Sequence, residues 1–128
     1  MKESFQELVE ALLETRQKCP WVKEKLSIER LGDAIKSETE EITQAINKKD
    51  YNNLKEEIGD QMMNLIHMSL ICEEEGMFKA KDVLTNVKEK LVRRKPWVFG
   101  DMKISTPEEA VKVWDEIKKK EKERMKDG

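Results

Sequence analysis

The chain has 128 residues, of which 38% are hydrophobic and 41% are charged, and its net charge is -2. This length fits one domain with a modest core, and the charge balance argues against a general nucleic-acid binder, which normally carries a basic excess. The N-terminus has no apolar signal core, and the longest mostly apolar run, 62–72, is too short and too interrupted to span a bilayer, so we expect a cytoplasmic protein without a membrane partner.

Apolar residues recur at helical spacing along the chain, and no segment shows the alternating pattern of a strand. The sequence therefore predicts an all-α fold, a single-domain bundle of four to five helices. We expect one domain over residues 1–128, with a core at about 5–121 and a charged C-terminal tail at 119–128.

The first three predicted helices cover the N-terminal half. The first carries the apolar residues of 5–13 and ends in a loop at Cys19-Pro20-Trp21, because proline interrupts regular helix. The second spans 28–47 and the third spans about 54–75. The third is nearly apolar all round in its second half, which is typical of the most buried element, and Gly76 is placed to cap its C-terminus.

Two further helices follow. The fourth, around 83–92, ends in basic residues before Pro96. Thr106-Pro107-Glu108-Glu109 has the pattern of a capping box, with Thr106 as the N-cap and the Glu109 side chain reaching back. It predicts the start of a fifth helix, which runs into the charged tail.

Acidic side chains interrupt the apolar face of the second helix. At about 100° per residue, its apolar residues fall within one arc, with Glu38 inside the arc and Glu41 at its edge. Glu57 and Asp60 repeat this i, i+3 spacing on the third helix. A carboxylate that faces a core is costly without a cation or donors, and no inward lysine matches these acids. The pattern predicts a metal ion, and Mg²⁺ prefers such oxygen ligands.

Other readings of these residues stay open. A helix rich in glutamate contains Glu-x-x-Glu pairs by chance, so the acids need not bind a metal. His67 is the only histidine and is most simply a hydrogen-bonded core residue, and no Glu-x-x-His pair supports a di-iron bundle. Cys19 and Cys72 are expected to be free thiols.

Basic and aromatic residues near the C-terminus have the chemistry for a nucleotide. Lys90 and Arg94 are spaced i, i+4 on the fourth helix, and Trp114 and Lys118 repeat that spacing on the fifth. Cations bind phosphates and an aromatic ring stacks on a base. The alternative is that the cations only complement helix dipoles and that Trp114 is a core residue.

The acids lie in a recognisable order. Ser37-Glu38-Thr39-Glu40-Glu41 followed by Glu57-Ile58-Gly59-Asp60 resembles the Glu-Glu-x-x-Glu, then Glu-x-x-Asp, signature of the MazG family, in the all-α nucleoside triphosphate pyrophosphohydrolase superfamily. Blocks at 19–21, 90–101 and 114–118 resemble the same family, and the resemblance covers about residues 5–121.

This resemblance implies hydrolysis of a nucleoside triphosphate to the monophosphate and pyrophosphate with Mg²⁺, for which Mn²⁺ would substitute. The residues that it assigns to the metal are Glu38, Glu41, Glu57 and Asp60, and those that it assigns to the nucleotide are Lys90, Arg94, Trp114 and Lys118. Glu56, Glu57 and Asp60 would be the catalytic residues, with Glu56 orienting the attacking water. Family members act as dimers or tetramers, so the resemblance also implies a homodimer or homotetramer.

The chain departs from the family pattern in two respects. Ser37 stands where the signature has its first glutamate, and only one copy of the domain is present where many family members carry two. Two alternatives therefore remain: a relative with narrow specificity for dCTP, dUTP or phosphoribosyl-ATP, and a catalytically silent module that binds nucleotides or a partner.

Overall fold

The computed structural model describes residues 1–127, with side chains up to Lys126. The described residues form seven helices and no strand, which confirms the all-α prediction. The helices are α1 (Lys2–Lys18), α2 (Pro20–Lys25), α3 (Ile28–Asn47), α4 (Tyr51–Glu74), α5 (Ala80–Arg94), α6 (Pro96–Phe99) and α7 (Pro107–Asp127).

The chain divides into two compact units, Met1–Ala80 and Lys81–Gly128. The first contains α1 to α4, and the second contains nearly all of α5 together with α6 and α7. That the two units together form one domain stays a prediction. No helix among the described residues combines the length and the apolar character needed to cross a membrane.

The two short helices correct the predicted elements, and each begins at a proline. The predicted loop at 19–21 is wrong, because only Cys19 leaves the helical conformation, with φ -89° and ψ 114°, and Pro20 opens α2. Pro96 opens α6 in the same way. Proline is well tolerated in the first turn of a helix, where its missing N–H has no intrahelical acceptor.

Side-chain caps mark the starts of α3 and α4. α3 has the predicted bounds, and the Ser27 hydroxyl at its start accepts a hydrogen bond from the Arg30 backbone N–H at 3.1 Å. α4 begins three residues earlier than predicted, because the Asp50 carboxylate accepts a hydrogen bond from the Asn53 N–H at 3.2 Å. The three remaining residues, 48–50, form a short turn, so α3 and α4 make an antiparallel helical hairpin.

The predicted caps farther along the chain are present. Gly76 has φ +77° and follows α4 in a Schellman motif, in which Gly76 N–H donates to the Glu73 carbonyl at 3.0 Å and Met77 N–H donates to the Cys72 carbonyl at 2.9 Å. At the start of α7, Glu109 N–H donates to the Thr106 hydroxyl at 3.2 Å. The Glu109 carboxylate reaches back one residue farther than predicted, to the Ser105 N–H.

The core of the first unit is centred on α4, which packs on α3 and α1. The buried apolar residues are Leu12, Val22, Leu31, Ala45, Leu70, Ile71 and Cys72, and the buried polar residues are Asn64 and His67. Most of these belong to α4, as predicted. Burial all round the second half of α4 is a wrong prediction for the single chain, since Met62 and Leu65 are 45% and 50% exposed.

Candidate metal centre

The helical hairpin brings three of the four predicted metal ligands together. Glu38 and Glu41 lie one turn apart on α3, and Glu57 lies on α4. One carboxylate oxygen from each lies within 4.8 Å of the others. Glu38 and Glu57 are half-buried and Glu41 is exposed, so the cluster opens toward solvent on the side of Glu41.

Two oxygens of this cluster are buried without a hydrogen-bond partner. They are Glu38 Oε1 and Glu57 Oε2. A buried carboxylate oxygen without a donor is costly, and like charges at such separations repel each other by roughly 3 kcal/mol per pair at an effective dielectric constant of about 20. The ion pairs among the described residues leave all three acids without a basic partner. The cluster therefore has the character of a site for a cation.

The donor set fits a small, hard divalent cation. Mg²⁺ and Mn²⁺ prefer carboxylate oxygens, and Mg²⁺ keeps several waters. At metal–oxygen distances of about 2.1 Å, two ligands of one Mg²⁺ lie at most about 4.2 Å apart. The three oxygens lie within 4.8 Å of one another, so small side-chain rotations suffice to bring them to one ion.

The remaining acids of the motif lie beside the cluster. Asp60 is half-buried and follows Glu57 by three residues on α4, but its carboxylate is outside the group of three. Glu56 is exposed, and so is Ser37, the residue that departs from the family signature. Ser37 thus faces solvent beside the half-buried Glu38.

A second polar cluster in this unit has a different composition. His67 is buried, and Arg16 Nη1 lies 3.3 Å from its Nε2. The Arg16 guanidinium also pairs with both carboxylate oxygens of Glu74. Burial, and next the Arg16 charge, lower the pKa of His67, and the hydrogen bonds from Arg16 lower the pKa of Glu74. This confirms His67 as a hydrogen-bonded core residue.

Arg16 was missed in the sequence because only lysines were considered as inward cations. Arg16 continues the i, i+4 spacing of Leu8 and Leu12 on α1, so the sequence predicts that its side chain lies on the same face of the helix. It neutralises Glu74 and leaves the acids of α3 without a partner.

In the second unit, two of the predicted nucleotide residues contact each other. The Arg94 guanidinium carbon lies 5.1 Å from the centre of the Trp114 ring, and Lys95 Nζ lies 5.8 Å from it. Arg94 Nη2 donates to Glu121 Oε2 at 2.8 Å, and Arg93 pairs with the other oxygen of Glu121. These two arginines lower the pKa of Glu121 to about 2.

Lys90 and Lys118 are exposed on α5 and α7. The structure thus brings Arg94 and Trp114 together and leaves the two lysines in solvent. Glu121 and Lys95 were missed, although Glu121 follows Lys118 by three residues and its charge opposes that of the basic end of α5.

In this protein α3 and α4 form a hairpin, and the acid cluster lies between them. This arrangement is that of an all-α domain with a candidate cation site. The sequence model described as the MazG nucleotide pyrophosphohydrolase domain matches residues 26–99. The match covers more than half of the chain and includes all four acids, so the chain belongs to the MazG family. Membership of this family implies a divalent cation, and the acid cluster that would hold it is present.

Proteins with curated names are similar to most of the chain. The chain is 36% identical to the nucleoside triphosphate pyrophosphohydrolase/pyrophosphatase MazG of Thermotoga maritima, over 98% of this chain and 49% of that protein. It is 30% identical to the nucleoside triphosphate pyrophosphohydrolase of Escherichia coli K12, over 90% of this chain and 43% of that protein. It is also 36% identical to the uncharacterized protein YabN of Bacillus subtilis, over 81% of this chain and 21% of that protein. The chain thus spans about half or less of the length of these relatives.

A solved structure has the same fold. The crystal structure of a mazG-related protein from Thermotoga maritima superposes with a TM-score of 0.78 at 39% identity. The superposition covers 89% of this chain and 98% of that one, so in this case the two chains correspond over nearly their whole length.

Proposed function

We propose that this chain is a Mg²⁺-dependent nucleoside triphosphate pyrophosphohydrolase, which converts an NTP or dNTP to the monophosphate and pyrophosphate. The observation that carries the proposal is the pair of buried carboxylate oxygens without partners, Glu38 Oε1 and Glu57 Oε2, within a cluster whose oxygens lie 4.8 Å apart or less. Two relatives are named for this activity, which supports the same chemistry here.

Glu38, Glu41 and Glu57 are the proposed ligands, and Asp60, one turn along α4, completes the set after a side-chain rotation. Bound Mg²⁺, or Mn²⁺ in its place, would neutralise charge on the triphosphate and lower the pKa of a bound water. In the reaction one water adds to phosphorus and one phosphoanhydride bond breaks. Glu56 is exposed beside Glu57, and we assign it the task of orienting that water and accepting its proton.

The second unit supplies the proposed contacts with the nucleotide. Lys90 and Lys118 are exposed cations, available to phosphate oxygens. Trp114 offers a ring for a base, and Arg94 lies on that ring. Because Arg94 is held by Glu121 at 2.8 Å, a phosphate that binds Arg94 has to compete with this carboxylate.

A panel of canonical, deoxy and modified triphosphates tests the proposal. We expect release of pyrophosphate and monophosphate in Mg²⁺ and no release in excess chelator. Turnover of only dCTP, dUTP or phosphoribosyl-ATP would indicate the narrow-specificity relative. Tight nucleotide binding without any product would favour the silent module, which the exchange of a glutamate for Ser37 motivates.

We also propose that the chain assembles as a homodimer or homotetramer through α4. In the first unit α4 exposes Ile58, Met62, Met63 and Leu65, each 40% exposed or more, while its polar residues Asn64 and His67 are buried. An apolar face in solvent is unfavourable and marks an interaction surface. The cytoplasmic location and the absence of nucleic-acid partners remain predictions.

A further inference from the structure

Gln61 joins the two helices that carry the acid cluster. Its side-chain Nε2 donates to the Ile35 carbonyl of α3 at 3.1 Å and to the Thr39 hydroxyl at 3.0 Å. The Thr39 hydroxyl in turn donates to the Ile35 carbonyl at 2.8 Å. Among the residues that the structure describes, the two bonds donated by Gln61 are the side-chain hydrogen bonds that link α3 to α4.

The link lies at the level of the acids. Ile35 precedes Glu38 by one turn and Thr39 follows it directly, while Gln61 follows Glu57 by one turn on α4. Residues one turn apart share a helix face, so the Gln61 amide is hydrogen-bonded to the segment of α3 that carries Glu38.

A buried neighbour orients this amide. Asn64 is 9% exposed, and its Nδ2 donates to Gln61 Oε1 at 3.4 Å. Because the carbonyl end of the Gln61 amide is held by a donor on its own helix, the NH₂ end is directed to α3. The sequence contained this signal, since Gln61 continues the polar stripe of Glu57 and Asn64 along α4.

The acids cannot fix their own spacing. Glu38 Oε1 and Glu57 Oε2 have no hydrogen-bond partner, and the carboxylates on α3 repel the carboxylate of Glu57 on α4. The distance between these oxygens before a cation binds is therefore set by the packing of α3 on α4 and by the polar link between them.

We propose that Gln61 is a positioning residue for the metal site, which holds the α3 segment carrying Glu38 in register with Glu57 so that both carboxylates face one cation. The inference rests on the proposed function, since it concerns the same acids. It assigns a role to a residue outside the acidic motif, through contacts that this chain makes.

The test replaces Gln61 with methionine, which has similar length and helix propensity but has no amide donor. Mn²⁺ binding to the full chain is measured by electron paramagnetic resonance, and melting is followed by circular dichroism in chelator. We expect Gln61→Met to weaken Mn²⁺ binding by about 10-fold or more, with little change in melting temperature in chelator. Gln17→Met, at an exposed position of α1, is the control and binds as the wild type does.

A second pair of variants separates the link from ordinary helix contacts. The hydroxyls of Thr39 and Thr43 make the same bond to the carbonyl four residues earlier, but only that of Thr39 also accepts from Gln61. We expect Thr39→Val to weaken Mn²⁺ binding and Thr43→Val to leave it unchanged. The effect of Thr39→Val disappears in the Gln61→Met background, because both changes break one link.

Unchanged Mn²⁺ affinity in Gln61→Met overturns the inference. So does a fall in melting temperature in chelator with wild-type affinity, because Gln61 then acts only in folding. If the wild-type chain itself binds no Mn²⁺, the proposed metal site fails, and this result is distinct from a failure confined to the Gln61 variant.

Discussion

Glu38 combines a charge, a half-buried position and an oxygen without a partner. In the metal-free chain its charge opposes folding, so Glu38→Ala should leave the free energy of unfolding unchanged or raise it by up to about 2 kcal/mol. The same change should abolish divalent-cation binding. Thermal melting in chelator and calorimetric titration with Mn²⁺ measure the two effects.

Glu40→Ala is the matched control for Glu38, because Glu40 is an exposed acid on the same helix. It should bind Mn²⁺ as the wild type does. A marked loss of stability in metal-free Glu38→Ala, with Glu40→Ala unaffected, would contradict the account and make Glu38 a structural residue.

The Arg16 contact predicts a neutral His67 near neutral pH. Arg16 Nη1 donates to Nε2 of the ring, which therefore carries no proton, and burial together with the Arg16 charge lowers the pKa below its ordinary 6.5. The unfolded chain then binds a proton at higher pH than the folded one. The neutral His67 ring therefore contributes fully to the free energy of unfolding above pH 6.5, and this contribution is lost as the pH falls below that value.

His67 is the only histidine, so its titration by nuclear magnetic resonance needs no assignment. We expect a midpoint below 6.5, and a higher midpoint in Arg16→Met, since the cation is removed. An unchanged midpoint in Arg16→Met would show that the guanidinium does not act on the ring.

Substitution of two glycines, one at the end of α4 and one inside α3, should change the free energy of unfolding in opposite directions. Gly76 has φ +77°, a conformation that disfavours a side chain, so Gly76→Ala should lower the free energy of unfolding by about 1 kcal/mol. Gly32 lies inside α3, and an added Cβ would have no atom within 4 Å apart from the adjacent residues and the backbone of its own helix, so Gly32→Ala should raise the free energy of unfolding by up to about 1 kcal/mol. Denaturant unfolding of both variants tests this, and a stabilised Gly76→Ala would contradict the cap.

Local chemistry explains which elements the sequence predicts well. Both ends of α3 were predictable because its apolar arc is long. The Gly76 cap was predictable because few residues other than glycine adopt positive φ. α2 and α6 were missed because a proline was taken as the end of a helix, whereas Pro20 and Pro96 begin one. Their existence depends on tertiary contacts of short segments, which no periodic pattern encodes.

The candidate site was predictable to a similar degree. Glu38, Glu41 and Glu57 converge as the i, i+3 spacing indicates, but the spacing does not fix side-chain rotamers, and Asp60 stays outside the group. The Gln61 link and the Glu121 contact of Arg94 depend on how helices pack, which single-helix periodicity does not specify.

The exposed apolar face of α4 predicts that the chain associates with further copies of itself. Met62 and Leu65 are 45% and 50% exposed, so Met62→Glu with Leu65→Glu should shift the chain from an oligomer to a monomer in sedimentation velocity, because charges at an apolar contact are strongly unfavourable. Met125→Glu is the control, since Met125 is 82% exposed near the C-terminus. An unchanged sedimentation coefficient in the double variant would place the interface elsewhere, and a monomeric wild type would contradict the assembly.

The proposed function depends on a divalent cation bound by the acid cluster. The most direct measurement is pyrophosphate release by the wild type and by Glu57→Gln, over a Mg²⁺ titration and in chelator, with melting recorded for both. We expect release that rises with Mg²⁺ in the wild type and is lost in Glu57→Gln. The melting temperature of Glu57→Gln in chelator should equal or exceed that of the wild type, because the variant removes a buried charge without a partner. Equal release by the two proteins, or release that persists in chelator, would contradict the proposed function.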